Sequence, residues 1–263
     1  MSDFLRGMAE ASRLRVRALQ PAAPSPVPVR PLRVQGFDLL AEVKLQAPST
    51  GVLLDPADPL AAVVAQAQAY ERGGAAALSV LTEPSRFGGS LAHLQAVAQA
   101  VDLPVMRKDF LVDPAQVHEA RSAGASGVLL ILGILDDDGL QACLDAAEVS
   151  GMFVLLEAFD GPELDRAARF LRPNTLLGLN ARDLRTLEVV PERLSTLVHR
   201  FPEGAVRVAE SGLAGPEDAA RVARLGYPLA LVGSALMRAQ DPALLVAQML
   251  AAGRAVERTC ASA

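Results

Sequence analysis

From residue 38 onward the chain alternates between two hydrophobic patterns. Short continuous apolar runs recur at Leu39 to Lys44, Ala76 to Leu81, Pro104 to Lys108, Gly127 to Ile131, Phe153 to Glu157, Leu176 to Asn180, Val206 to Glu210 and Leu229 to Val232. Each is followed by a loop and a stretch with helical spacing of its apolar positions, and a glycine commonly leads into the next run. Runs without polar alternation predict strands buried on both faces, which is the habit of a parallel sheet covered by helices. Proline at a first helical turn removes an N–H that has no partner anyway, and Pro59, Pro114, Pro162, Pro191, Pro216 and Pro242 all read as helix openers. Asp58, Asp113 and Asp241 precede three of them as N-caps. Gly73, Gly124, Gly151 and Gly226 read as C-terminal stops. Eight such units predict an α/β chain closed into a (β/α)8 TIM barrel over residues 39–255. A doubly wound open sheet is the alternative, but no Gly-x-Gly-x-x-Gly follows the first run.

Ahead of the repeat, Asp3 to Leu19 carries Phe4, Leu5, Met8, Leu14 and Val16 among polar residues, the pattern of an extra amphipathic helix. Pro21 to Pro31 then packs five prolines into PAAPSPVPVRP, which forbids helix and predicts an extended connector. Residues 1–38 are therefore read as an N-terminal helix and linker. The pattern leaves two readings of this region open: a disordered linker, or a connector that holds the first helix over one face of the domain as a lid.

Composition narrows the class. At 263 residues and 51% hydrophobic content the chain suits one large core, and a net charge of -5 with few aromatics argues against a nucleic-acid surface. No secretory signal or apolar run long enough to span a bilayer is present, so a cytoplasmic, membrane-free protein is expected. Cys143 and Cys260 make no metal-spacing or CxxC pattern. A monomer is expected, with a homodimer as the alternative.

The chemistry lies where the runs end. Of 25 basic residues only Lys44 and Lys108 are lysine, and each sits where an apolar run stops. An ammonium whose pKa responds to its surroundings can exchange a proton near neutral pH, which a guanidinium cannot. The C-terminal strand ends of such a barrel form its catalytic face, so Glu42, Lys44, Lys108, Glu157, Asn180, Glu210 and Ser211 are expected on one rim. Ser211-Gly212 after the seventh run and Gly233-Ser234 after the eighth, ahead of a short helix, suit a phosphate, because glycine admits the ligand to backbone N–H groups.

Several long motifs agree in order and spacing with one family. AEVKLQAPSTG (41–51), ALSVLTEPSRFGGS (77–90), LPVMRKDFLVDPAQVHEARSAGASGVLLI (103–131), LLGLNARDLRTLEV (176–189) and VAESGLAGPEDAARVARLGYPLALVGSALMRAQDP (208–242) resemble indole-3-glycerol phosphate synthase. The resemblance runs from about residue 39 to 250. It implies ring closure of 1-(2-carboxyphenylamino)-1-deoxyribulose 5-phosphate with loss of carbon dioxide and water, a tryptophan-pathway carboxy-lyase reaction needing no cofactor and no metal.

By that resemblance Lys108 protonates the alkoxide formed when the anthranilate ring attacks the ketone, and Lys44, Glu42 and Glu157 share the later proton transfers. Asn180 and Glu210 hold substrate hydroxyls. Phe87 and Phe110 suit the aromatic ring, with plain core as the other reading of Phe110. Arg182 suits the ring carboxylate, and Ser211, Gly212, Gly233 and Ser234 the phosphate, with Lys44 nearby. Three glutamates around two ammonium groups are expected to keep the lysines charged while partial burial lowers their pKa.

The chain departs from the family pattern at Ala47, where a serine is usual and Ser49 is the nearest substitute, and at Ala181, where a second asparagine is usual. Three alternatives remain on the residues alone. They are a Schiff-base aldolase using either lysine, a phosphoribosylanthranilate isomerase relative, which wants cysteine or aspartate where Glu42 and Lys44 stand, and a barrel that only binds a sugar phosphate.

Overall fold

A computed structural model describes residues 2–19, 23–48, 51–54, 57–183 and 186–261, with side chains through residue 256. Eight parallel strands close into one barrel: β1 (Asp38–Val43), β2 (Ala77–Leu81), β3 (Val105–Lys108), β4 (Gly127–Ile131), β5 (Phe153–Ala158), β6 (Thr175–Asn180), β7 (Val206–Glu210) and β8 (Leu229–Val232). They pair in sequence order and β8 returns to β1. The expected strands are all present, with ends shifted by one residue at β1, β2, β3, β5 and β6. Lys44 stands just beyond β1. Almost every strand residue is buried, because helices cover the outside and side chains fill the inside.

The helix openers hold with two refinements. Pro162 is the second residue of its helix, Gly161–Ala167, and Pro191 is the cap rather than the first turn of Glu192–Leu197. Asp58 accepts from the Leu60 and Ala61 amides, Asp113 from Ala115 and Asp241 from Leu244. Gly124, Gly151 and Gly226 take the left-handed conformation that ends a helix. Gly73 does not: its φ is -72°, and Gly74 turns the chain instead.

Gly73 is required for closeness. A Cβ there would stand 2.6 Å from the Ala243 carbonyl oxygen and 2.7 Å from the Val246 Cβ, on the neighbouring helix Pro242–Ala261. Gly73→Ala is accordingly expected to cost about 1–3 kcal/mol by forcing two helices apart. A urea denaturation midpoint equal to wild type would refute this.

The proline-rich region, over its described residues 23–31, is extended and docked. Val27 is buried, its carbonyl accepts from Arg121 Nη2 at 2.5 Å, and the Arg30 amide donates to Ser126 Oγ at 3.0 Å. The described part of the connector is thus packed on the barrel. It leads from a helix, Asp3–Val16, capped by Ser2 and packed against the barrel through Leu5, Met8, Ala9 and Ser12. Ser12 accepts a hydrogen bond from Gln116 at 2.9 Å with both groups buried.

Some short elements have no counterpart in the sequence pattern: an antiparallel pair, Gln46–Ala47 with Gly51–Val52, in the loop after β1, the helix Pro84–Phe87 after β2 and the 3-10 turn Leu132–Ile134 after β4. Runs this short carry no periodicity to read. Ser49 and Cys260 lie outside the described side chains. Among the described residues no helix is long and apolar enough to cross a membrane.

Candidate active site

The C-terminal strand ends open into a cavity of about 340 Å³. All thirteen residues singled out from the sequence line it: Glu42, Lys44, Phe87, Lys108, Phe110, Glu157, Asn180, Arg182, Ser211, Gly212, Gly233, Ser234 and Glu210. They come from seven strands or the loops that follow them, so closure of the barrel is what brings them together.

Two ammonium groups stand at its base. Lys44 Nζ donates to Glu42 Oε1 at 2.6 Å. Lys108 Nζ donates to Glu157 Oε2 at 3.0 Å and lies 3.7 Å from Glu210 Oε2. Asn180 Nδ2 donates to the other Glu157 oxygen at 2.9 Å, while its Oδ1 accepts from the Arg182 amide, also at 2.9 Å. Asn180 thus orients Glu157 and is itself held.

Electrostatics separates the three glutamates. Burial pushes Glu42 up, but Lys44, Lys108 and Arg182 outweigh it and hold its carboxyl below the usual carboxylate value. Glu210 goes the other way: burial and the neighbouring Glu157 raise it far above that value, and neither of its oxygens has a hydrogen-bond partner. The same cavity thus drives the Glu42 and Glu210 carboxyls in opposite directions. The expectation that burial lowers the lysine fails at Lys108. Burial does pull it down, yet Glu157, Glu210 and Glu42 raise it above the ordinary lysine value.

The remaining walls differ in character. Glu83 accepts from Ser85 and Arg86 at the start of a short helix, Pro84–Phe87, that presents Phe87 to the cavity. The Phe87 and Phe110 rings lie 6.2 Å apart, and Phe4 meets Phe110 edge to face at 6.0 Å. Phe110 is both buried and cavity-lining.

Phe4 and Leu5 were missed as site residues. Their spacing marks an amphipathic helix but not the surface that helix covers, and the structure lays it over the cavity. Arg15, from the same helix, grips Asp109 beside Lys108 at 2.6 and 3.1 Å.

Across the cavity, Ser211 and Gly212 both have positive φ, 65° and 78°. A serine so held is strained, a feature that collects at functional sites. Gly233 begins the helix Ser234–Arg238, where no side chain caps the start. A Cβ at Gly233 would overlap Glu42 Oε1 and stand 2.9 Å from Lys44 Nζ, so this glycine also makes room for the base of the site. Ala47 and Ala181 are both buried, the first at the cavity wall. Among the described residues no cluster of three or more His, Cys, Asp and Glu could hold a metal ion.

Fold and cavity together define a class, the (β/α)8 barrels with an acid–base site at the C-terminal strand ends. Comparison with known proteins narrows it. The family model described as indole-3-glycerol phosphate synthase matches residues 29–249. The indole-3-glycerol phosphate synthase of Mycobacterium leprae is 44% identical over 239 residues, covering 90% of this chain and 86% of the relative. That of Parafrankia sp. is 47% identical over 226 residues, covering 84% and 81%.

Among solved structures, 3-hexulose-6-phosphate synthase from Salmonella typhimurium superposes with a TM-score of 0.65 at 16% identity, over 84% of this chain and 100% of that one. At that identity it speaks for the fold alone. The chain belongs to the indole-3-glycerol phosphate synthase family.

Proposed function

We propose that this chain converts 1-(2-carboxyphenylamino)-1-deoxyribulose 5-phosphate to indole-3-glycerol phosphate, as a carboxy-lyase of tryptophan biosynthesis. Family membership supports the reaction, and one observation supports the roles: Lys108 Nζ lies between Glu157 and Glu210 in the same cavity that holds Lys44 and Glu42.

In the proposed sequence the ring carbon bearing the carboxylate attacks the ketone. A carbon–carbon bond forms, and Lys108 protonates the alkoxide. An ammonium whose pKa is raised is fully charged at neutral pH, and an alkoxide is basic enough to take its proton. Carbon dioxide then leaves, and its electron pair restores the aromatic ring. The hydroxyl departs as water with a proton from an acid, while a base takes the carbon-bound proton that completes the indole. Lys44, Glu42 and Glu157 are assigned to these last transfers.

Asn180 and Glu210 bind the sugar hydroxyls. Phe87 and Phe110 pack the ring and Arg182 pairs with its carboxylate until it leaves. Ser211, Gly212, Gly233 and Ser234 take the phosphate, with Lys44 alongside.

Residues 1–38 and the barrel 39–255 act as one catalytic unit, because the first helix supplies part of the cavity wall. We assign the chain to the cytoplasm, a reading its biosynthetic family supports, and read it as a monomer, with a homodimer as the alternative. The decisive experiment supplies the purified protein with the carboxyphenylamino substrate and follows indole fluorescence. Appearance of product without added metal or cofactor is expected, and no fluorescence with intact substrate would overturn the assignment.

A further inference from the structure

Beneath the rim lies a strand glycine with no assigned role. Gly178 lies in β6 opposite Glu157 of β5 and two residues before Asn180, which itself stands opposite Glu210 of β7. Residues two apart on a strand face the same side, so Gly178 occupies the layer directly beneath Asn180. Glycine in a strand interior is unfavourable and marks a close approach.

The approaching group is Glu210. A Cβ at Gly178 would overlap Glu210 Oε1 and stand 3.0 Å from its carboxyl carbon, with Leu155 Cδ1 next at 3.1 Å. The Glu210 carboxyl thus bends down into the space a side chain would fill. There both oxygens are buried without hydrogen-bond partners, and Lys108 Nζ is 3.7 Å away.

We propose that Gly178 is a positioning residue for the reaction: the missing side chain is the seat of the Glu210 carboxyl, and filling it drives that carboxyl up against Lys108 and Glu157. The seat also holds the Glu210 carboxyl 3.7 Å from the Lys108 ammonium, just beyond hydrogen-bond reach. Raised toward the ammonium, Glu210 would compete with Glu157 for Lys108.

This inference rests on the proposed reaction, and wild-type turnover in the same assay separates the two. A silent wild type counts against the reaction, and an active wild type leaves Gly178 to be judged by its variants. Gly178→Ala is expected to lower kcat on the order of a hundredfold, the scale of a misplaced catalytic group, and to shift the acidic limb of the pH–rate profile. Glu210→Asp shortens the side chain and vacates the seat, so adding Gly178→Ala to Glu210→Asp is expected to cost less than about threefold, a clear departure from additivity.

Infrared spectroscopy gives a readout independent of turnover: the carboxyl band that Glu210→Gln removes should be shifted in Gly178→Ala, because the carboxyl moves toward Lys108. Equal effects of Gly178→Ala in both backgrounds, or wild-type kcat in the single variant, would overturn the proposal. If the single variant fails to fold, folding of the double variant supports it and failure of both overturns it.

Discussion

Lys108→Met is expected to cut turnover by a hundredfold or more while substrate binding and the fold persist, which is the scale of a lost general acid. Methionine keeps the length and apolar stem of lysine, so the change removes a charge and its protons more than it removes volume. The ammonium it deletes is the donor to Glu157 and the cation nearest Glu210. Without it the proposed alkoxide has no proton donor at that point. Steady-state kinetics with the carboxyphenylamino substrate tests this, and turnover within a few-fold of wild type would remove Lys108 from its role. A fall in affinity with unchanged kcat would instead make it a binding residue.

The second large effect concerns stability. Asp109 is fully buried one residue beyond Lys108, where it accepts from Arg15 of the first helix, Arg107 at 3.2 Å and Thr82 at 2.7 Å. Arg107 is itself nearly inaccessible and also reaches Glu119 at 2.7 Å. Asp109→Ala leaves that guanidinium with one carboxylate instead of two and cuts the tie between helix and rim. A loss of about 3–5 kcal/mol is expected, as when one partner of a buried pair is removed.

Acid titration provides the sign. Burial raises Asp109, but Arg107, Arg15 and Thr82 outweigh it and hold the carboxyl below the usual aspartate value. As pH falls the unfolded chain protonates first, so this stabilisation is full above the ordinary aspartate pKa of about 4 and is lost as pH drops through the lowered folded value. Urea titrations of both proteins should therefore show their stability difference narrowing below about pH 4. A difference that is small at neutral pH, or that widens in acid, would contradict the network.

Much of the site was legible because of where its residues stand along the chain. Lys108, Glu157, Asn180 and Glu210 each close an apolar run, and in a parallel barrel every such ending reaches the same face. Phe4, Leu5, Asp109 and Gly178 were not legible in the same way. The first two look like any apolar helix face, Asp109 like a solvated charge after a strand, and Gly178 like a flaw in one. Each acquires meaning from a partner distant in sequence: Phe110, Arg15 and Glu210 respectively for Phe4, Asp109 and Gly178.

The lysine pKa shows the same division. Burial was foreseeable from the apolar runs, but the direction at Lys108 depends on how many carboxylates lie within a few ångströms, and no spacing reports that.

The sequence by itself determined the alternation of buried strands and capped helices, hence the barrel, and hence which polar residues share a rim. That follows from local forces: periodicity, proline and glycine geometry, and capping act within a few residues. Only the tertiary structure decided that the first helix lies over the cavity, that burial and Glu157 raise the Glu210 pKa, and that Lys108 meets a glutamate 49 positions away. Those outcomes depend on distances set when the barrel closes, and Coulomb and desolvation energies follow separation in space, not separation along the chain.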